Sequence, residues 1–232
     1  EKIQLITRNL EEVITQEDVG KLIESKVPLV HYIGFEISGL IHLGTGLCTM
    51  LKVKDLQEAG VETRIFLADW HTWINRKLGG ADLETIKNIA VRFFKEGMAA
   101  AALCVGADPA KIKFLLGSDL YHNNDAYWQT LIDVSRNTTL SRMQRSITIA
   151  GKNEGESVDF ALLIYPAMEV ADIFIQGVSL AHAGMDQRKA HVIMRDVASN
   201  VASQNKKLQE AKLKPVALHH HLLLGLGKPP VW

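Results

Sequence analysis

Val27-Pro28-Leu29-Val30-His31-Tyr32-Ile33-Gly34-Phe35-Glu36-Ile37-Ser38-Gly39-Leu40-Ile41-His42-Leu43-Gly44-Thr45 passes from a short apolar run, bounded by proline and glycine, through a glycine-containing loop and past a histidine. Cys48 to Leu56 follows with apolar residues at helical spacing, so the order reads strand, tight loop, helix. Backbone N–H groups at such a helix start, with the positive end of its dipole, can receive phosphate, and glycine lets a ligand approach closely. This order is also the first unit of a doubly wound parallel sheet, whose ligand crevice lies at the carboxyl ends of the strands.

Working outward, residues 1–26 read as two short helices packed on the core, with Thr15 and Asp18 three residues apart as a capping pair ahead of Val19, Leu22 and Ile23. Further strands are predicted at Glu62–Asp69, Lys111–Ser118, Val178–His182 and Pro215–Leu222. Gly79-Gly80 breaks the chain before Asp82 caps a helix whose apolar face runs Leu83, Ile86, Ala90, Phe93, Gly97 and Cys104. Between about 122 and 164 the pattern is helical, with a polar break at Gly151-Lys152-Asn153-Glu154-Gly155-Glu156. A helix after Gly184 runs to about Ala202, and Gly225 and Pro229-Pro230 follow the last strand. The alternation predicts an α/β fold, a Rossmann-type doubly wound parallel sheet over residues 27–232 with a helical insertion at about 120–160.

At 232 residues and 47% hydrophobic content the chain can bury a substantial core, and its net charge of zero advertises no broad nucleic-acid-binding field. Cys48 and Cys104 fall within predicted helices and read as buried free thiols of a reducing compartment. No apolar run approaches the roughly 20 residues of a membrane span, and the mixed-charge start is not a signal-peptide core, so a soluble cytoplasmic protein without membrane contact is expected.

Phe35-Glu36-x-Ser38-Gly39-x-x-His42-Leu43-Gly44 resembles the signature of class I aminoacyl-tRNA synthetases, in the form used by archaeal and eukaryotic tyrosyl-tRNA synthetases. Four further segments stand in that family's order: Leu67-Ala68-Asp69-x-His71, Thr138-Thr139-Leu140-x-Arg142, Tyr165-Pro166-x-Met168-x-x-x-Asp172-Ile173, and Gly184-Met185-Asp186-Gln187-Arg188-Lys189-x-His191. The resemblance implies a ligase that activates L-tyrosine with ATP, accompanied by Mg2+, and passes the tyrosyl group to tRNA(Tyr) in protein synthesis. It implies a homodimer joined through the insertion. It also implies a lysine-rich KMSKS loop and an anticodon-binding domain that this chain, ending at Trp232, does not carry. The chain is therefore expected to be the catalytic portion of a longer polypeptide.

By the same resemblance His42 and Thr45 serve catalysis, and Tyr32 and Asp172 meet the substrate phenol. Tyr165, Glu169 and Gln187 surround its ammonium. Gly34, Glu36, His42, Gly44, Gly184 and Asp186 face ATP, and Arg188 and Lys189 face tRNA. Three positions depart from the family pattern. Thr45 stands where histidine is usual, and a hydroxyl brings no positive charge to phosphate; reduced activation and a substitution that preserves function are both open. Glu169 stands for glutamine, three residues before Asp172 on nearly one helical face, where two acids can raise a pKa. Ala183-Gly184 replaces two glycines.

From residue types alone, His42 is equally a cap or core group, Tyr32 and Tyr165 are ordinary half-buried aromatics, and Asp186 is a first-turn acid. His219-His220-His221 invites a metal reading, but adjacent strand side chains alternate faces, so three imidazoles cannot meet one ion; a strand at the active-site rim is the preferred reading, and no metal site is expected. Arg136, Arg142, Arg145 and Lys206-Lys207 are candidate phosphate contacts against a background of solvated charge. The competing readings are a tryptophan-specific relative, which has no use for two oxygen-bearing partners at a phenol position, and a non-catalytic paralogue that binds amino acid, nucleotide or tRNA.

Overall fold

The computed structural model describes residues 1–153 and 157–223. Glu154-Gly155-Glu156 of the expected polar break, and Gly225 with Pro229-Pro230, lie outside the described residues. Strands β1 (Glu12–Ile14), β2 (Val30–Phe35), β3 (Glu62–Leu67), β4 (Ile112–Leu116), β5 (Leu180–Gly184) and β6 (Val216–His220) form one sheet. Their order is β1-β6-β5-β2-β3-β4, parallel throughout except that β1 runs antiparallel to β6. From β2 the chain winds outward through β3 and β4, then crosses to the other side for β5 and β6. The order reverses at the β2/β5 boundary, where a doubly wound sheet opens its ligand crevice.

Both faces of the sheet are covered, and β3 shows why its sequence is almost wholly apolar. Phe66 packs with Tyr32, Tyr121 and Phe174 on one face, while Ile65 and Leu67 pack with Met50, Val53 and Ile86 on the other. Ile65 and Phe66 are fully buried, and each such side chain contributes roughly 1.5–3 kcal/mol by leaving water. A third cluster, with Ile6, Val19, Leu22 and Leu218, seats the N-terminal helices Lys2–Thr7 and Gln16–Glu24. The Thr15 cap forms as its spacing requires, its hydroxyl accepting from the Asp18 N–H at 3.1 Å.

Three expectations change. The N-terminal region contains β1 between its helices, too short at three residues to announce itself by alternation. Cys48 and Cys104 are both exposed rather than buried. The helical face over 83–105 keeps Ile86 and Ala90 but then turns to Phe94, Met98 and Ala102, leaving Phe93 46% exposed. The cause is a wide turn of i→i+5 pitch over Ala90–Phe94, whose extra residue advances the buried face by one position. The insertion is helical as expected: Asp125–Arg136, Leu140–Ser146 and the start of Phe160–Ile175. Among the described residues no helix is long and apolar enough to cross a membrane.

Candidate active site

A cavity of about 400 Å³ opens at the carboxyl ends of β2 and β5. Tyr32, Gly34 and Glu36 reach it from β2 and the following loop, and Gly184, Asp186 and Gln187 from the end of β5. Tyr165 and Glu169 close it from the helix Phe160–Ile175, and Thr45 reaches it from the turn after the loop. Residues far apart in sequence, read as one site, thus share one wall.

The deep end is aromatic and acidic. Tyr32 is buried against Phe66, ring centroids 5.7 Å apart, and its hydroxyl lies over Gly34, where a Cβ would stand 2.6 Å from that oxygen. Burial, then the nearby Asp172 and Glu169, push the Tyr32 phenol well above its ordinary range. Asp172 does not line the cavity but stands behind its wall. Its Oδ2 accepts from the Tyr121 hydroxyl at 3.2 Å, His71 Nε2 is 3.8 Å away, and Oδ1 is buried without a partner. Burial drives this carboxyl well above the usual carboxylate range and, together with the charges of Asp186 and Glu36, raises Glu169 to about 8. Both acids are thus raised chiefly by desolvation; the Glu169 charge adds to the rise of Asp172, whereas Asp186 and Glu36 are the charges that act on Glu169.

Glu36 accepts from the Tyr165 hydroxyl and from Asn75 Nδ2, both at 2.9 Å, with Lys77 3.7 Å away. Those bonds hold it beside Tyr165. A Cβ on Gly184 would collide with the Asp186 carboxylate and stand 2.9 Å from a Leu222 methyl, so glycine leaves these two side-chain ends room to approach the strand. Gln187 donates to the Ile149 carbonyl at 3.0 Å and to Asp186 at 2.6 Å.

His42 and Gly44 do not line the cavity. The exposed His42 ring accepts from the Gly44 N–H at 3.2 Å, and a Cβ at position 44 would stand 3.3 Å from that ring; glycine here makes room for histidine. Thr45 accepts from the His42 N–H at 3.2 Å and so holds the loop closed. Arg188 is engaged in a two-pronged ion pair with Glu12, and Lys189 donates to the Arg145 carbonyl at 2.8 Å. The three histidines do alternate. His219 turns to His191 and Glu12, His220 to His182, and His221 to Glu11. Among the described residues no group of three or more potential ligands is placed to share a metal ion.

His220 lies on the cavity wall, as a strand at the active-site rim requires, and sequence reasoning missed His71 and His182, which line the same wall. His71 is buried edge-on to Tyr165 at 4.5 Å between ring centroids, both its nitrogens lack partners, and burial lowers it to about 4.

Topology and cavity together define an α/β core of the doubly wound kind, with its crevice at the carboxyl ends of the strands. The sequence pattern of the family described as tRNA synthetases class I (W and Y) matches residues 24–228, and the chain belongs to that family. It is 60% identical to the tyrosine–tRNA ligase of Thermococcus gammatolerans and 59% identical to that of Pyrococcus abyssi, in each case over all of this chain. The chain spans 61% and 62% of the length of those two relatives. The crystal structure of a Pyrococcus horikoshii tyrosyl-tRNA synthetase complexed with L-tyrosine superposes with a TM-score of 0.92 at 56% identity, covering all of this chain and 62% of that one.

Proposed function

We propose that this chain forms the tyrosine-activating core of a tyrosine–tRNA ligase. The observation that carries the reading is a single cavity that brings the Tyr32 hydroxyl, with a buried acid behind it, and Tyr165, Glu169 and Gln187 together with Gly184 and Asp186. L-Tyrosine fits against the aromatic and acidic side chains, its phenol toward Tyr32 and Asp172, and ATP fits along Gly184 and Asp186. The substrate carboxylate attacks the α-phosphorus, the bond to the bridging oxygen breaks, and pyrophosphate leaves with its electron pair. A ribose hydroxyl of tRNA(Tyr) then takes the tyrosyl group, and AMP departs. No protein nucleophile is needed, so the catalytic work is alignment of two anions and stabilisation of developing phosphate charge. Mg2+ belongs to the proposal as a companion of the ATP phosphates; it keeps several waters and needs no all-protein cage.

Tryptophan as substrate is disfavoured, because the single indole N–H can meet only one of the two oxygen-bearing groups, the Tyr32 hydroxyl and the orphaned Oδ1 of Asp172. In the same proposal the protein works in the cytoplasm and pairs with a second copy through its insertion. There Trp128 and Ile132, 40% and 58% exposed, leave apolar surface. Arg188 and Lys189 would meet tRNA only by exchanging their present partners. Tyrosine-dependent ATP–pyrophosphate exchange, with tryptophan and phenylalanine as controls, tests the core claim. Exchange with tyrosine alone supports it, while none with any amino acid, alongside intact tyrosine binding, would put the non-catalytic reading first.

A further inference from the structure

Three imidazoles, one of them from the triple histidine, form a file across the sheet. His31 on β2, His182 on β5 and His220 on β6 share one face, stepping diagonally toward the carboxyl ends of the strands. His31 Nε2 meets His182 Nδ1 at 3.1 Å, and His182 Nε2 meets His220 Nδ1 at 2.9 Å. His31 and His182 are fully buried, and burial holds all three below the ordinary imidazole range, so the file is uncharged at neutral pH.

A neutral imidazole carries one N–H and one bare nitrogen, so the file has only two proton arrangements. In one, every N–H points toward β6: His31 donates to His182, His182 donates to His220, and His220 keeps its own proton on Nε2. In the other, every bond reverses, His220 Nε2 is bare, and the His31 proton sits on Nδ1. That Nδ1 is buried with no partner. An orphaned N–H there is costlier than an orphaned lone pair. At the far end Asp186 favours a proton on His220. Both ends therefore select the first arrangement.

His220 Nε2 stands 3.4 Å from where a Gly184 Cβ would be, on the cavity wall, and Asp186 flanks the same point. A fixed N–H donor beside a carboxylate matches a hydroxyl, which accepts from one and donates to the other; a phosphate oxygen would be repelled by Asp186. We propose that His220 is a nucleotide-binding residue that donates its Nε2–H to a ribose hydroxyl of ATP, with His182 and His31 as positioning residues that set its tautomer. The proposal rests on the nucleotide reading above and adds the group on the nucleotide that is recognised.

The test joins a spectroscopic signature to a ligand comparison. Nitrogen-15 shifts of the wild-type protein at pH 7.5 should report His220 as the Nε2–H tautomer. His220→Phe should weaken ATP binding about fivefold, the worth of one hydrogen bond, without changing tyrosine affinity, and His220→Gln, which keeps an N–H, should restore most of it. The loss should vanish when the nucleotide is the 2′-deoxy or 3′-deoxy analogue that lacks the accepting hydroxyl. An Nδ1–H tautomer overturns the assignment, as does an equal loss with ATP and both analogues, or no loss at all. Wild-type protein that binds no ATP overturns the nucleotide reading itself. The tautomer is read from wild type, so a variant that fails to fold leaves the proposal open to refutation.

Discussion

Tyr32 and Glu169 carry the two sharpest residue-level tests. Removing the Tyr32 hydroxyl by Tyr32→Phe should weaken tyrosine binding about fivefold while leaving phenylalanine binding unchanged, measured by calorimetry. Equal effects on both amino acids would mean that the hydroxyl does not meet the phenol. Glu169 is raised from about 4.5 to about 8, so at pH 7 the empty site holds it protonated and neutral, close in shape and charge to the glutamine it replaces. A substrate ammonium beside it favours the ionised form. Tyrosine binding at pH 7 should therefore release close to one proton, seen as a dependence of the binding enthalpy on buffer ionisation enthalpy, and Glu169→Gln should abolish it. Tyr32, Tyr165 and Glu169, all in the cavity lining, were legible there only through the ordered motifs, since residue type alone reads the two tyrosines as ordinary half-buried aromatics. The setting of His71 was not legible, since a lone imidazole in sequence says nothing of burial or partners. His42 was legible as a loop residue, but its place outside the cavity depends on a bond to the Gly44 backbone that no spacing rule encodes.

The element that delivers Thr45 to the cavity is the wide turn Gly44–Cys48, and its seating depends on Ile41. A Cβ on Gly46 would stand 2.8 Å from Ile41 Cγ2 and 3.4 Å from the Ala101 side chain, and one on Gly97 would strike the far end of the Ile41 side chain. Ile41 is thus clamped between two glycines, with His42 next along the chain. Gly46→Ala should destabilise the fold by about 1–3 kcal/mol in denaturant unfolding and slow pyrophosphate exchange, because a β-branched methyl cannot swing aside cheaply. Adding Ile41→Ala should recover much of both losses; strict additivity would show that the clash lies elsewhere. The parallel strands and their helices were legible here because long apolar runs and caps act locally. The misses, β1 and the phase of the helix after Ala90, share a cause. A three-residue edge strand exists only because β6 is there to pair with, and a one-residue wide turn is fixed by packing against neighbours rather than by periodicity.

Over the whole molecule, burial of ionisable groups on both sides of neutrality sets the pH range of stability. His31, His182 and His191 are fully buried and His71 nearly so, and all four are lowered, to about 3 for His31 and His191 and about 4 for His71. His219 and His220 are lowered as well. A histidine lowered on folding stabilises the fold above its unfolded pKa near 6.5, and that stability is lost as pH falls toward the folded value. Glu169 and Asp172 act in the opposite sense: their raised values give stability that is full below about 4.5 and is lost as pH rises toward the folded pKa. Near pH 5.5 the unfolded chain binds more protons than the folded one, because the buried histidines outnumber the two buried acids, so stability should fall on acidification. Near pH 7.5 the balance reverses, with the acids alone protonated in the fold, and stability should fall more gently as pH rises. Urea unfolding across pH 5 to 9 should therefore trace an asymmetric dome with its maximum close to pH 7 and the steeper limb on the acid side. In Glu169→Gln the contribution of this carboxyl, which spans about pH 4.5 to 8, disappears, so the alkaline limb should flatten and the acid limb steepen, each by up to about 1.4 kcal/mol per pH unit. An alkaline limb unchanged by that substitution would mean that Glu169 titrates in the fold as it does in solvent.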